Sequence, residues 1–138
     1  MPTAVVTGAS AGVGRAVAVG FARRGFDVAL LARGQAGLQA AAQEVRAQGR
    51  RALPITVDMA EAQAVDDAAG RVEAELGPID VWVNDAMTTV FAPSWDIEPE
   101  DFRRAVEVTF LGQVWGTMAA LSRMRVRDRG STLVRGGG

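Results

Sequence analysis

Thr3-Ala4-Val5-Val6-Thr7-Gly8-Ala9-Ser10-Ala11-Gly12-Val13-Gly14 lies near the start of the chain and decides how the rest is read. Thr3–Thr7 is short, β-branched and followed by glycine, which reads as a buried strand. Val13, Val17 and Phe21 then recur at helical spacing as far as Arg24, and Gly25 supplies a stop. Three glycines therefore fall between a strand and a helix. Glycine lets the backbone turn tightly and pass close to a ligand. The free N–H groups at the helix start, helped by the helix dipole, favour an anion such as a pyrophosphate. Tight turns use glycine for structural reasons too, but here the strand before and the helix after are both in place, which points to nucleotide binding.

The pattern continues outward. Asp27–Leu31 reads as a second apolar strand and Leu38–Gln48 as an Ala-rich helix ending at Gly49. Ala52–Val57 is a third strand, and Ala62–Leu76 a helix closed by Gly77-Pro78. Ile79–Val83 is a fourth strand, followed by a loop from Thr88 to Pro99. Pro99–Arg125 reads as one long helix with Glu98, Glu100 and Asp101 at its start, and Ser131–Val134 as a weak fifth strand. Strands alternating with helices imply crossover connections and a parallel sheet, an α/β sandwich. The 138 residues contain no internal repeat or linker and suit one domain.

Composition narrows the chemistry. Net charge is −1, so no global field favours nucleic acid or an anionic membrane. Arg123, Arg125, Arg127, Arg129 and Arg135 face only Asp128 in their stretch. They read as a solvated helix end, with an anion patch as the alternative. There is no Cys for thiolate chemistry and no His for acid/base work or metal ligation. Tyr and Lys are absent as well, and all fifteen cationic side chains are Arg. No apolar run approaches the roughly 18 residues of a membrane span, and the first residues lack the pattern of a signal peptide. A soluble, cytoplasmic protein is expected.

The glycine spacing is Thr7-Gly8, three residues, Gly12, one residue, Gly14. It differs from Gly-x-Gly-x-x-Gly and resembles the short-chain dehydrogenase/reductase family. Asp58-Met59 follows the third strand, where that family has an Asp that reaches an adenine. Asn84-Asp85-Ala86-Met87 follows the fourth, where the family has Asn-Asn-Ala-Gly, and the helix from Pro99 is similar to the family's fourth major helix. The resemblance implies a Rossmann-like doubly wound parallel sheet of order 3-2-1-4-5, cut at about the fifth strand. Residues 1–138 would form one partial NAD(P)-binding domain. It implies a nicotinamide dinucleotide held by Gly8, Ser10, Gly12, Val13, Gly14, Arg33, Asp58, Met59, Asn84 and Ala86. Asp85, Met87 and Thr109 depart from the pattern, which has Asn, Gly and Asn at those places.

Cofactor choice turns on the end of the second strand. An NAD site offers a carboxylate to the ribose 2′-OH about 20 residues past the glycines. Here Ala32 stands at the acidic position and Arg33 follows. A guanidinium binds a 2′-phosphate through charge-assisted hydrogen bonds, and Ser10 lies where it could assist. NADP is therefore expected over NAD.

Catalysis in the resembled family uses a Tyr, a Lys four positions later and a Ser. This sequence has neither of the first two residue types, and Gly136–Gly138 stand where the Ser is expected. No catalytic residue and no metal ligand is assigned. The leading reading is the NADP-binding portion of a short-chain alcohol/carbonyl oxidoreductase, inactive as the isolated chain. The alternatives are a non-enzymatic NADP-binding module and one half of a split dehydrogenase; Leu133–Gly138 resembles a frame change more than an evolved terminus. The long helix carries more apolar residues than one face needs. Self-association, or docking of a missing C-terminal half, is expected through residues 99–125, with Phe110, Val114, Trp115 and Met118 on the outer side.

Overall fold

The computed structural model describes residues 2–85, 98–127 and 131–134. Strand β1 (Thr3–Thr7) leads to α1 (Gly12–Arg23), β2 (Asp27–Ala32), α2 (Gln35–Ala47), β3 (Ala52–Thr56), α3 (Ala62–Glu75) and β4 (Ile79–Asn84). After these come α4 (Pro99–Val106), a π-helical turn (Glu107–Leu111), α5 (Gly112–Arg127) and β5 (Ser131–Val134). The five strands form one sheet in the order β3-β2-β1-β4-β5. Every pairing is parallel, with Val5 opposite Ala29 and Trp82, and Val83 opposite Leu133. This is the doubly wound topology that the resemblance implies.

Both faces of the sheet are covered, which explains why the strands read as continuous apolar runs. Successive side chains of a strand point to opposite faces. Val5, Ala29, Leu31, Ile55 and Trp82 accordingly pack with Val65, Val72 and Ala120 of α3 and α5. Val6, Val28, Leu30 and Val83 pack with Ala18, Leu38, Ala42 and Val45 of α1 and α2. Leu30, Leu31 and Leu38 are essentially without exposure. Each such side chain contributes about 1.5–3 kcal/mol of burial.

Two helices depart from the periodicity. The apolar row Val13, Val17, Phe21 was the expected inner face of α1, but the buried residues are Gly14, Ala18, Val19 and Ala22. Small residues let α1 lie close to the strand ends, while Val13 is 47% exposed and Val17 and Phe21 are only partly covered. The long helix is not uninterrupted: the π-helical turn divides it, and it runs on to Arg127. Trp115 packs partly against the core and Val114 is half-buried, so the outward apolar residues are Phe110, Met118 and Leu121. Trp115 and Met118 line a groove between α3 and α5 with Ala62, Asp66, Ala119 and Ser122.

The N-terminal edge of the sheet is closed by polar groups bonded to one another. Asp27, only 1% exposed, accepts from Arg50 Nη2 at 2.9 Å and from the Arg51 N–H and Nε at 3.0 Å each. Arg51 also donates to the carbonyls of Glu75 and Leu76 at the end of α3. Burial pushes the Asp27 carboxyl up, but the hydrogen bonds from Arg51 and the charges of Arg50 and Arg51 outweigh it and hold it below its ordinary value. Thr3 N–H donates to Asp80 Oδ2 at 2.9 Å, tying β1 to β4 at the same edge.

Candidate cofactor-binding site

The chain steps outward from β1 to β2 and β3, then returns to place β4 on the other side of β1. Strand order therefore reverses between β1 and β4, and ligands of such sheets bind outside the carboxyl ends of the strands at that point. The glycine loop occupies this position. Gly8 and Gly12 have φ of 65° and 58°, a region other residues rarely enter. Gly14 is buried so closely that a Cβ there would lie 2.2 Å from the Gly8 carbonyl oxygen. The loop thus folds back on its own helix, and only glycine fits.

The start of α1 keeps its donors. Its N-cap, Ala11, makes no side-chain cap, and the first turn contains no acidic residue. The first N–H groups of a helix have no partner within it, so these point outward at the loop. The loop is anchored from behind by the Ala9 N–H, which donates to the Leu31 carbonyl at 3.3 Å. An anionic diphosphate suits this set of donors, and the glycine backbone leaves room for its approach.

Ser10 and the residues that follow Arg33 come from separate elements but converge. Arg33 is exposed immediately after β2. Gly34 follows it, and a Cβ on Gly34 would lie 3.9 Å from Ser10 Oγ. Gly37 in the first turn of α2 is tighter still: its Cβ would meet the Ser10 carbonyl oxygen at 2.7 Å. Gly37 thus lets the glycine loop rest on α2 beside Arg33. Sequence reasoning started α2 at Leu38 and missed this residue, although an isolated glycine in an Ala-rich helix was a usable signal.

The remaining site residues face inward more than expected. Asp58 follows β3, and its carboxylate is taken from two sides. Arg104 Nη1 and Nη2 donate to Oδ2 and Oδ1 at 2.8 and 2.7 Å, and the Ala60 N–H donates to Oδ1 at 3.0 Å. Hydrogen bonds from Arg104 hold the Asp58 carboxyl below its ordinary value, against the opposing effect of burial. The same pair raises the Arg104 guanidinium. Met59 is 3% exposed and belongs to the core, leaving its main chain at the site. Asn84 is fully buried: its Oδ1 accepts from Trp82 Nε1 at 2.9 Å and its Nδ2 donates to Thr117 Oγ1 at 3.0 Å. Its side chain therefore braces β4 against α5. Gly116 permits this, since a Cβ there would stand 2.5 Å from Asn84 Oδ1.

Asp85 lies under the glycine loop. Its N–H donates to Thr7 Oγ1 at 2.9 Å, and its Oδ2 would be 2.8 Å from a Cβ on Gly14. Ala86, Met87, the loop residues 88–97, Asp128, Arg129, Arg135 and Gly136–Gly138 lie outside the described residues. Among the described residues no group of three or more acidic, His or Cys side chains could hold a metal, and no helix is long and apolar enough to cross a membrane.

Residues 2–134 match the short chain dehydrogenase family. A short chain dehydrogenase of Pseudocercospora fijiensis is 40% identical over 134 residues, covering 95% of this chain and 43% of that protein. L-rhamnose 1-dehydrogenase (NAD(P)(+)) of a Sphingomonas species is 32% identical over 96% of this chain and 52% of its own. Two solved structures share the fold. An alcohol dehydrogenase from the archaeon Thermococcus sibiricus, complexed with 5-hydroxy-NADP, aligns with a TM-score of 0.87 and 32% identity over 97% of this chain and 57% of its own. An NAD+-bound xylitol dehydrogenase aligns with a TM-score of 0.90 and 28% identity over 96% and 52%. A nucleotide-binding α/β sheet with its glycine loop at the switch point is thus set within one family: the chain belongs to the short-chain dehydrogenase/reductases. It spans about half the length of the relatives it matches.

Proposed function

We propose that this chain is the NADP-binding portion of a short-chain oxidoreductase acting on alcohol and carbonyl groups. The observation that carries the reading is Arg33 at the end of β2, next to the Ser10 loop, with Ala32 in place of a carboxylate. Gly8, Gly12 and Gly14 let the loop approach the pyrophosphate, and the N–H groups of Ser10, Val13 and their neighbours face it. Asp58 and the main chain at Met59 bound the adenine end. The main chain after Asn84, toward Ala86, runs along the nicotinamide ribose. The bound dinucleotide would supply the hydride. Arg33 and Ser10 grip the 2′-phosphate that distinguishes NADP.

Within these 138 residues there is no Tyr, Lys, His or Cys to move a proton at a substrate oxygen. The isolated chain is therefore expected to bind cofactor without turning over alcohols or ketones. Exposed Phe110, Met118 and Leu121 on the outer side of the long helix support association with a second copy or with a further part of the protein.

Titration calorimetry tests the cofactor reading. NADP is expected to bind more tightly than NAD. Arg33→Ala is expected to weaken NADP about 10- to 150-fold, the worth of a hydrogen bond to a charged group, with NAD nearly unchanged. Equal losses for both cofactors would overturn the role given to Arg33.

A further inference from the structure

Asp58 presents a problem for the NADP reading, and Arg104 resolves it. The ends of β2 and β3 are paired: Ala32 stands opposite Thr56, and the Val57 N–H donates to the Ala32 carbonyl at 2.9 Å. Arg33 and Asp58 are the next residues on each side. An unpaired carboxylate at Asp58 would have Arg33 as a neighbouring cation and would compete for it with any phosphate. Instead, both Asp58 oxygens are engaged by the two Nη atoms of Arg104, and one of them also by the Ala60 N–H. The Asp58 and Arg104 side chains are 30% and 27% exposed, so the pair is sheltered from full solvent screening. Arg33 has no such geometry with Asp58. The carboxylate feels its charge only at a distance, as a weaker influence than that of Arg104.

We propose that Arg104 is a positioning residue for cofactor selectivity: its two-pronged grip on Asp58 keeps that carboxylate from capturing Arg33, and so leaves Arg33 to the 2′-phosphate. The inference rests on the NADP reading above. A planar guanidinium suits the role because it meets a carboxylate through two parallel N–H···O bonds. Coulomb attraction at an effective dielectric near 20 remains appreciable across several ångströms, so cancelling one negative charge beside Arg33 matters to a dianionic ligand. NAD carries no 2′-phosphate and gains little from the arrangement. Arg104 is thus distinguished from residues that bind the dinucleotide as a whole.

Calorimetric titration of NADP and NAD against the full chain tests the proposal with Arg104→Gln, Asp58→Asn and the double variant, each checked for folding by thermal melting. Arg104→Gln is expected to weaken NADP roughly tenfold, part of the value of a charged hydrogen bond, and to change NAD less than about twofold. The double variant removes the competing carboxylate along with an adenine contact, so it is expected to lower both affinities but to recover most of the preference for NADP over NAD. Arg104→Lys preserves the charge and serves if Arg104→Gln does not fold; it is expected to keep a preference for NADP between those of wild type and Arg33→Ala. Parallel losses for both cofactors in Arg104→Gln, or a double variant as unselective as the single, would overturn the proposal. Arg33→Ala separates the two readings. An unselective loss there overturns the NADP reading itself; a selective loss there with an unselective one at Arg104 overturns only the inference drawn here.

Discussion

The two ends of the sheet are built from the same residue types and put them to opposite uses. At the N-terminal edge, Asp27 is 1% exposed and receives three donors from Arg50 and Arg51, while Arg51 also reaches back to α3. Donors and acceptors there bond one another, Arg50 Nε excepted. At the C-terminal edge, Asp58 is half-buried, Arg33 is exposed, and the first turn of α1 leaves its N–H groups uncapped. The first arrangement holds β2, the start of β3 and the end of α3 together. The second leaves donors facing the cleft. A carboxylate–arginine pair therefore says little about function until its surroundings are known: among the described residues, the closed cluster is structural and the open edge is where a ligand fits.

The comparison breaks most sharply at Asp27. Asp27→Ala leaves Arg50 without its carboxylate and Arg51 with only the Glu75 and Leu76 carbonyls. Removing one partner of a buried pair costs about 3–5 kcal/mol, and with Arg51 59% exposed the lower end, about 3 kcal/mol, applies here. Urea denaturation should show that loss, whereas the ratio of NADP to NAD affinity should stay unchanged wherever the variant remains folded. A changed ratio would mean that the two ends are coupled.

Gly14→Ala should do the reverse. The added Cβ would meet the Gly8 carbonyl oxygen at 2.2 Å and Asp85 Oδ2 at 2.8 Å, so the loop must shift. Overpacking of this kind costs about 1–3 kcal/mol in stability, less than the loss at Asp27. Binding of both dinucleotides should fall together, because the pyrophosphate seat is common to them. Retention of wild-type affinity would remove the glycine loop from the site.

Acid sharpens the contrast with a smaller effect. Asp27 and Asp58 both have folded values held below the ordinary carboxylate range. A depressed carboxyl contributes stability that is complete above its unfolded value, near 3.9 for Asp, and is lost as pH falls through the lower folded value. Stability should therefore be flat near neutrality from these groups and decline below about pH 4. Asp27→Asn should flatten that acid limb more than Asp58→Asn, since Asp27 is more deeply buried and faces two guanidinium charges where Asp58 faces one. An equal flattening by both would show that the open edge is as tightly bound as the closed one.

Much of the fold was legible because strands that are buried on both faces leave unbroken apolar runs. The five strands begin where Thr3, Asp27, Ala52, Ile79 and Ser131 placed them, and no strand end moved by more than one residue. The glycine loop was legible because its tight turn is local to a few adjacent positions. Three features were not. The inner face of α1 is made of Gly14, Ala18 and Ala22, and hydrophobic periodicity gives small residues too little weight. The Asp58–Arg104 pair joins residues 46 positions apart, so no local pattern marks it. The bonds of the buried Asn84 amide to Trp82 and Thr117 depend on α5 crossing at Gly116, more than thirty positions along the chain.

The π-helical turn at Glu107–Leu111 has a consequence for angular phase. Arg104 lies before it and Gly112 after it, yet they meet adjacent residues: Arg104 bonds Asp58, and a Cβ on Gly112 would lie 3.0 Å from Met59 Cβ. An α-helix advances about 100° per residue, so the eight positions between them would turn roughly 800°, or about 80° past two full circles. A π turn absorbs one extra residue, which brings the same span to about 700°, within roughly 20° of two circles. The spare residue thus acts as a vernier, indexing two helical segments onto the single dipeptide Asp58-Met59. Deleting one residue from 107–111 would leave seven α-helical steps, about 700°, and so keep both segments on that mark without the π turn.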